Sequence, residues 1–446
     1  MFDLLIRGGT AVTAGGSFRA DIAVENGRIR ALLASGAPFA AKKVVDAAGL
    51  LVFPGLIDAH VHLREPGAAA KETLMSGTAA AACGGVTTVL DMPNTVPPVD
   101  SLDRLKEKAA LIPGRAFVDV GLFAVLTGAD QERLHRLSAG GCTGFKVFLG
   151  PTTGHLTAPG WGELAAALEF LAPFGLPVVV HAEMGSVIEY LESARQAAGQ
   201  KWHYDHFLAT RPAWAEDMAV SLICRLSGLT GAPIHLAHLS SASAVTIVKE
   251  AKKAGFKVSA ETCPHYLFLT AADYAEIGPA MKILPPVREK HDQAALWEGL
   301  LSGVIDMVAS DHAPHTMEEK MNPDPWAAPA GAPGLETMFP LLLDAAIGGR
   351  FTPAHIAAWC AARPAAIFQL SAKGDLQPGK DADLVLVDPA ADWVVDPTQM
   401  HSKAKATPFR GRRGRGRVIA TYLRGELVAE NGRIVAAPAG RWLEPR

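Results

Sequence analysis

The sequence predicts an α/β protein in which a (β/α)8 barrel of the TIM type is joined to a small β-sandwich-like domain. Two observations lead to this prediction. Between residues 55 and 370, eight short apolar runs alternate with stretches rich in Ala, Leu, Glu and Lys. On both sides of that region, short strand-like runs are separated by turns. The predicted division is therefore residues 1–54 plus 371–446 for the small domain and 55–370 for the barrel.

The strands of the small domain are predicted from apolar runs bounded by Gly and Asn. At the amino-terminal end these runs are 3–7, 21–24 and 28–32, and at the carboxyl-terminal end they are 382–387, 418–423 and 427–430. Because both chain ends are β-rich and flank the barrel, the simplest arrangement is one domain built from the two ends.

The eight predicted barrel strands are the run that ends before His60 and the runs 86–91, 118–123, 144–149, 177–181, 233–238, 257–261 and 306–311. Helices are predicted between them, most clearly at 71–83, 161–171, 214–227 and 243–254. In barrels of this kind the chemistry lies at the carboxyl ends of the strands, so these ends are where functional residues are sought.

Composition narrows the class of protein. The chain has 446 residues, of which 49% are hydrophobic, and this is enough for a sizeable core. The net charge of −3 predicts no attraction to nucleic acid or to an anionic membrane. The first residues lack the pattern of a secretory leader, and no apolar run reaches the length of a membrane span. The five cysteines are scattered without a C-x-x-C pair, so we expect a reduced, cytoplasmic protein.

Potential metal ligands gather at the predicted strand ends. His60 and His62 stand one residue apart, so both imidazoles point to one face of a strand. The later strand ends supply Asn94, Lys146, His181, His238, Thr262 and Asp311. A single histidine is more often a core residue than a ligand, but four histidines with an aspartate and a lysine predict a site for zinc or a similar ion.

Lys146 is unusual because it lies inside the apolar run 144–149. A buried ammonium beside a metal ion is doubly unfavourable. If the amine has combined with carbon dioxide, the resulting carbamate is an anion that could bridge two metal ions. The simpler alternative, a lysine that reaches from the strand end to solvent, stays open on the residues alone.

Asp311 is the predicted catalytic residue. It lies at the eighth strand end, in the sequence Ser-Asp-His-Ala-Pro-His. Its expected role is to hold the attacking water, accept its proton and later give that proton to the leaving nitrogen. The alternative of an ordinary helix-capping aspartate is weaker at this position.

The chain resembles the amidohydrolase superfamily, and within it the cyclic-amidase branch of dihydroorotases, allantoinases and hydantoinases. The resemblance is carried by segments 54–67, 84–95, 144–148, 181–183, 238–240, 261–267, 285–288, 310–315 and 334–337. It implies that His60, His62, Lys146 and Asp311 hold one metal ion. It implies that carboxylated Lys146, His181 and His238 hold the second. Two divalent ions, expected to be zinc, are therefore the implied cofactors, and homo-oligomers are common in the family.

The resemblance points first to dihydroorotate as the substrate. In dihydroorotases the residues at the positions of Arg64, Asn94 and His315 hold the substrate carboxylate, and a guanidinium can grip a carboxylate with two hydrogen bonds. Lys71, Glu72 and the segment 334–337, which begins at Gly334, are also dihydroorotase-like. We therefore expect Arg64, Asn94, His315 and Gly334 to bind substrate. The expected reaction is the reversible opening of dihydroorotate to N-carbamoyl-aspartate, in pyrimidine biosynthesis.

Other positions point to allantoinases or hydantoinases. Leu284 stands where dihydroorotases have an asparagine that touches the ring, and leucine cannot replace its hydrogen bonds. The segments 263–266, 209–212 and 288–297 are closer to the other two groups. Pro151 stands where hydantoinases place a tyrosine that polarises the carbonyl. An allantoinase or a hydantoinase of the dihydropyrimidinase type is therefore the alternative.

Two further interpretations carry less weight. The segment 410–417 has five arginines, but without interleaved aromatic residues it predicts a solvated loop or subunit contact rather than a nucleic-acid site. A non-catalytic barrel subunit that scaffolds a partner is the alternative from another class. Such subunits lose metal ligands, whereas this chain retains the full set.

Overall fold

The computed structural model describes residues 1–36, 38–152 and 156–444. The strands are β1 Phe2–Arg7, β2 Thr10–Thr13, β3 Gly16–Arg19, β4 Asp21–Glu25, β5 Arg28–Leu33, β6 Ala41–Asp46, β7 Leu51–Pro54, β8 Leu56–Val61, β9 Val86–Asp91, β10 Asp119–Val125, β11 Gly144–Phe148, β12 Val178–His181, β13 Ile234–Leu236, β14 Val258–Thr262, β15 Met307–Val308, β16 Leu384–Val394, β17 Arg413–Leu423, β18 Glu426–Glu430, β19 Arg433–Ile434 and β20 Trp442–Leu443.

The α-helices are α1 Leu74–Cys83, α2 Leu102–Ala109, α3 Gln131–Ala139, α4 Trp161–Leu171, α5 Gly185–Ala197, α6 Tyr204–Thr210, α7 Ala213–Thr230, α8 Ala242–Lys253, α9 Pro264–Phe268, α10 Tyr274–Ile277, α11 Lys290–Ser302, α12 Met317–Lys320, α13 Met338–Ile347, α14 Pro353–Ala357 and α15 Arg363–Ile367. Short 3-10 turns lie at Ala172–Phe174, Ala271–Asp273, Gly278–Met281 and Pro397–Gln399, and a π-helical turn lies at Ala358–Ala362.

Eight parallel strands form the barrel in the order in which they occur along the chain, from β8 to β15. The eighth strand is short, and the ring is completed beyond it by a parallel bridge between Val61 and His312. There His62 N donates to His312 O at 2.8 Å. The prediction of a (β/α)8 barrel is confirmed, and it places the carboxyl ends of all eight strands around one opening.

The two chain ends form two sheets that pack on one another. One sheet has four strands in the order β5-β4-β1-β6, and the other has seven in the order β19-β18-β17-β16-β7-β2-β3. The seven-stranded sheet joins both ends of the chain through antiparallel pairing of β7 with β16. A buried cluster that includes Leu4, Ile22, Leu384 and Tyr422 fills the space between the sheets. This confirms the β-sandwich-like architecture, and we keep the division into 1–54 plus 371–446 and 55–370 as a proposal.

The last described strand returns to the barrel, which the sequence did not indicate. Strand β20 pairs in parallel with β10, and Arg441 N donates to Asp119 Oδ1 at 2.8 Å. Two residues are too few to give an apolar pattern that a sequence reading could detect.

Helix boundaries follow capping residues more than apolar periodicity. Helix α4 has the predicted bounds, whereas α1 begins three residues later than predicted because the Thr73 side chain accepts a hydrogen bond from Ser76 N and caps it. In the described part of the chain, none of the helices is long and apolar enough to cross a membrane.

Candidate active site

Three of the predicted ligands meet at the mouth of the barrel. His60 is on β8, His62 follows that strand directly, and Asp311 lies just beyond β15. The Nε2 atoms of His60 and His62 are each 3.5 Å from Asp311 Oδ1. All three side chains are at least nine-tenths buried. The structure thus brings His60 and His62 together with Asp311, as their positions at the predicted strand ends indicate.

The backbone around this group is held in an unusual conformation. Arg64, His238 and Asp311 have φ angles of 63°, 38° and 44°, in the left-handed region that non-glycine residues rarely adopt. Each such residue costs about 1–3 kcal/mol and persists only where the surroundings enforce it. Three of them around one opening indicate that side-chain placement here is maintained at the expense of backbone stability.

Lys146, His181 and His238 form the second half of the cluster. His181 Nδ1 is 3.1 Å from His238 Nε2. The Lys146 ammonium is fully buried and has no hydrogen-bond partner among the residues that the structure describes. Burial lowers the pKa of Lys146 to about 8. More of this amine is therefore uncharged near neutral pH than of an ordinary lysine, and the uncharged amine is the form that can combine with carbon dioxide.

Buried carboxylates fix the orientation of the histidine rings. His60 Nδ1 is 2.5 Å from Glu261 Oε1, and His181 Nε2 is 2.9 Å from Glu183 Oε2. Arg211 in turn holds Glu183 through a contact of 2.6 Å. Because a carboxylate only accepts hydrogen bonds, the ring nitrogen facing it carries the proton. The opposite nitrogen of each ring therefore presents a lone pair to the centre of the cluster.

Asn94 has the same relation to His62. Its Oδ1 atom is 2.8 Å from His62 Nδ1, which leaves His62 Nε2 as the acceptor nitrogen that faces Asp311. Burial lowers the pKa of His62 to about 3, so this ring is neutral at physiological pH. A residue expected to bind substrate is thus placed where it orients a metal ligand.

The donor set fits a divalent cation. The lone pairs of the His60 and His62 Nε2 atoms face a carboxylate oxygen at 3.5 Å, an arrangement that is repulsive unless a cation lies between them. Two nitrogens bound to one tetrahedral zinc ion lie about 3.3 Å apart, close to the separation of His181 and His238. The ligand atoms of His60, His62 and Asp311 lie within 4.8 Å of one another.

Asp311 is held as an anion. Burial alone would raise its pKa, but positive charge on the side of His60 and His62 outweighs that effect and lowers the pKa below its ordinary value. Because both rings present lone pairs to this carboxylate, a bound cation would supply that charge. The loop that carries Asp311 is anchored from inside the barrel, because Asp58 Oδ1 accepts a hydrogen bond from Ser310 N at 3.0 Å. Asp311 is therefore an ionised acceptor in a fixed position.

A cleft opens over the cluster. Its lining includes the six candidate metal ligands together with Arg64, Asn94, Phe148, Thr152, Leu284, Ala313, Ala330 and Gly331. The apolar side chain of Leu284 thus reaches the space that a substrate ring would occupy.

The residues expected to grip a carboxylate are only partly in position to do so. Arg64 lines the cleft, and its Nη2 atom is 3.3 Å from His315 Nε2. His315 itself lies behind Arg64, where its Nε2 is also 2.9 Å from Ala330 O. Burial, reinforced by the cations Arg64 and Lys71, lowers the pKa of His315 to about 2. A neutral His315 ring therefore adds no positive charge to the residues expected to bind a substrate carboxylate.

Gly334 packs against the loop that carries Asp311. Its N–H group donates to His312 Nδ1 at 3.2 Å. A Cβ atom at this position would lie 2.8 Å from Ser310 O, so only glycine allows the two segments to approach so closely. The contact supports the residues on either side of Asp311, and a direct contact of Gly334 with substrate stays a prediction.

Sequence reasoning assigned no role to the residues that support the ligands. Glu261, Glu183 and Asp58 lie next to recognised positions, but their contacts depend on tertiary packing. A buried acid within two residues of a ligand histidine was the available signal for Glu183 and Asp58. Glu261 gave no such signal, because it lies on β14 and contacts His60 on β8.

Comparisons with known proteins extend over nearly all of the chain. A family model described as "Amidohydrolase family" matches residues 51–428. An allantoinase of Rubrobacter xylanophilus is 38% identical over 451 residues, covering 100% of this chain and 98% of that protein. A dihydroorotase of Bacillus caldolyticus is 38% identical over 422 residues, with coverage of 93% and 96%. The solved structure of an L-hydantoinase (dihydropyrimidinase) from Arthrobacter aurescens matches with a TM-score of 0.96 and 32% identity, and each chain is covered completely.

Proposed function

The chain belongs to the amidohydrolase family and hydrolyses a cyclic amide, and from this premise we propose that its substrate is an uncharged cyclic ureide, with allantoin as the first candidate. The cyclic-amidase resemblance noted in the sequence is confirmed by these relatives. The narrower expectation of dihydroorotate is less well supported than its alternative, because the allantoinase and L-hydantoinase matches span the whole chain.

The proposal rests on the lining of the cleft, which is apolar at Leu284 and offers few cations to a substrate. Leu284 presents a hydrocarbon surface where a dihydroorotase-like site would place an amide. Asn94 contacts His62, and neutral His315 stands behind Arg64, so one cation remains to face a substrate carboxylate. Desolvating a carboxylate with a single partner is costly, whereas an uncharged ring loses less on entering this cleft.

The chain's own residues account for the movement of the proton. Two divalent ions held by the six ligands would polarise the ring carbonyl and acidify water. Asp311, ionised and fixed, accepts a proton as the water oxygen bonds to the carbonyl carbon. When the ring C–N bond breaks, Asp311 returns the proton to the leaving nitrogen. The product carries a new carboxyl group and a free amide or ureido nitrogen.

We further propose that Lys146 is carboxylated and bridges two metal ions. The neutral amine attacks carbon dioxide, forms an N–C bond and releases one proton, so the side chain becomes an anion. This change removes the cost of a buried ammonium that has no hydrogen-bond partner among the described residues. Native mass spectrometry of metal-loaded protein should find two divalent ions and one added carbon dioxide per chain, and a Lys146→Met variant should lack that addition.

The test of the substrate is a side-by-side assay of metal-loaded protein on allantoin, a 5-substituted hydantoin and dihydroorotate. We expect the largest kcat/KM on one of the two uncharged rings. A largest value on dihydroorotate would reject the proposal while leaving the metal chemistry intact. In the matched variant Leu284→Asn, activity on dihydroorotate should rise relative to that on allantoin, because an amide can then hydrogen-bond the more polar ring.

Dihydroorotate stays the second candidate because Arg64 does line the cleft and a dihydroorotase is among the relatives. If Arg64 binds a substrate carboxylate, Arg64→Met should raise KM for dihydroorotate far more than for allantoin. An equal change on both substrates would remove Arg64 from carboxylate recognition.

We also propose that the protein is a cytoplasmic homo-oligomer. Light scattering of the purified protein tests the oligomeric state.

A further inference from the structure

Two lysines beside the cleft are buried without an acidic partner. Lys320 ends helix α12 and is 0% exposed, and Lys282 follows a 3-10 turn and is 6% exposed. Within the described residues, neither ammonium forms an ion pair with a carboxylate. A buried cation is expensive unless its donors are satisfied, so the surroundings of these two groups need a reason.

Backbone carbonyl groups satisfy both ammonium groups. Lys320 Nζ donates to Lys282 O at 2.8 Å, Pro329 O at 3.1 Å and Gly331 O at 2.7 Å. Lys282 Nζ donates to Pro325 O at 2.8 Å, Trp326 O at 2.8 Å and Ala328 O at 2.5 Å. An ammonium has three N–H donors, so each lysine makes its full complement of bonds. Five of the six carbonyls belong to residues 325–331, which we call the wall segment.

The wall segment forms one side of the cleft. Ala330 and Gly331 line the same cleft as the candidate metal ligands. Gly331 N donates to Lys282 O at 2.9 Å, and Ala330 O contacts His315 Nε2 at 2.9 Å. Gly331 has a φ angle of 128°, and a Cβ atom there would lie within 2.4 Å of Ala313 O. The wall therefore lies in close contact with the loop that follows Asp311.

This segment has little regular structure of its own to hold it. It contains no α-helix or strand. Apart from the ammonium groups, its peptide groups bond to Asp324 through the N–H groups of residues 326–328, to Lys282 O through Gly331 N, and to His315 through Ala330 O. Its one large side chain, Trp326, packs edge-on against Trp202 with 4.5 Å between ring centroids, and the Arg195 guanidinium lies 3.1 Å from its ring centroid. Those contacts and the Lys282 ammonium hold the outer half of the segment. The half that faces the cleft is held by the Lys320 ammonium, by the bond from Gly331 N to Lys282 O and by the contact of Ala330 O with His315.

We propose that Lys282 and Lys320 are positioning residues that shape the substrate cleft from behind by drawing the carbonyls of the wall segment inward. The inference rests on the proposed function, since it takes this cleft as the substrate site. It assigns the lysines to substrate affinity rather than to the chemical step, because neither is a metal ligand. If the wall segment is already ordered before the substrate binds, less conformational entropy is lost on binding, and the affinity for the substrate is higher.

The test compares Lys320→Met and Lys282→Met with the control Lys290→Met, which replaces an exposed lysine at the start of α11. The cyclic amide that the wild-type protein turns over fastest is the substrate. We expect KM to rise at least about tenfold in both buried-lysine variants, with kcat within about threefold of wild type. Metal content should stay the same, and hydrogen exchange should accelerate in residues 325–331 only.

An unchanged KM in both variants would overturn the inference. It would also be overturned if kcat, metal content and exchange protection across the whole chain fell together with the rise in KM, since that would show a merely structural role. If neither variant folds, amide hydrogen exchange of the substrate-free wild-type protein tests whether the wall segment is ordered before substrate binds. Protection of the Gly331 amide supports the proposal, and rapid exchange there rejects it. A wild-type protein inactive on every cyclic amide would reject the proposed function, whereas the exchange experiment would still test the wall segment.

Discussion

Among the residues that the structure describes, two places bring three metal-capable side chains within 4.8 Å of one another, yet they serve different purposes. One lies at the carboxyl ends of the barrel strands and the other near their amino ends, where the small domain meets the barrel. The first consists of His60, His62 and Asp311, and the second of Asp119, Asp381 and Asp383.

The second group already contains its own cation. Lys373 Nζ lies 2.6 Å from Asp119 Oδ2, 3.0 Å from Asp381 Oδ2 and 2.7 Å from Asp383 Oδ2. Arg424 adds a second positive charge 2.6 Å from Asp119. The three carboxylates hold an ammonium where a metal ion would otherwise lie. This group joins the barrel to the small domain by ion pairs.

The first group lacks such a cation among the described side chains. The nearby lysine is Lys146, whose pKa burial lowers to about 8. Burial also lowers the pKa of Lys373, but its aspartate partners outweigh that effect and raise the pKa above its ordinary value. Proximity of acidic or imidazole groups therefore does not identify a metal site by itself. The distinguishing observation is a set of lone pairs that face one another with no side-chain ammonium between them among the described residues.

The largest expected effect comes from removing the ionised acid of the first group. Asp311→Ala should lower kcat by about a thousandfold or more, because proton transfer to and from the reacting atoms is lost. Most of the metal should stay bound through the remaining ligands. Steady-state kinetics and elemental analysis measure the two quantities. In the matched control Asp381→Asn, kcat should stay within about twofold of wild type, and a near-normal rate in Asp311→Ala would contradict the assignment.

At the second group the expected loss is of stability rather than rate. Lys373→Met leaves buried carboxylates without their ammonium, which should lower the free energy of unfolding by about 3–5 kcal/mol. Activity per folded molecule should not change. Thermal unfolding of this variant and of the control Lys43→Met, at an exposed position, gives the comparison.

The pH dependence of that loss has a defined sign. Because the folded-state pKa of Lys373 is raised, its stabilising contribution is fully present below the pKa of an unfolded lysine, about 10.4. It is lost only as pH rises through the higher folded value. The difference between wild type and Lys373→Met should therefore be constant from pH 6 to about 9. A difference that vanished in this range would show that the ammonium is not the stabilising group.

The smallest of the three effects concerns the residue that orients His60. Glu261→Gln keeps the size of the side chain but removes its charge, so metal affinity should fall by about 10- to 100-fold. Competition with a chromophoric chelator measures that affinity. Asp381→Asn should leave it unchanged, and equal losses in both variants would mean that the two groups are not independent.

Much of this arrangement was predictable because it follows from local spacing. The separation of His60 and His62 fixes both rings on one strand face, and barrel topology brings Asp311 to them. Spacing alone does not distinguish His238 from His235, which lies three residues earlier on β13. In the structure His235 turns to Ser259 and Glu261, whereas His238 faces His181.

The rest depended on packing between distant segments. Asn94 was expected to meet substrate, yet a contact with His62 gives it a second role that spacing does not reveal. The lysine contacts of the wall segment join residues up to 46 positions apart through backbone carbonyls, which any residue type supplies. The residue types of the acceptors therefore give no indication in the sequence that these contacts form.

The measurement that tests the central claim most directly is a titration of demetallated protein with zinc while allantoin hydrolysis is followed. We predict no turnover without metal, and a rise in rate that saturates as the His60 cluster fills. A His60→Asn variant should not recover, whereas Asp381→Asn should recover as the wild-type protein does. Full activity of the metal-free protein, or recovery in His60→Asn equal to that of wild type, would contradict the account.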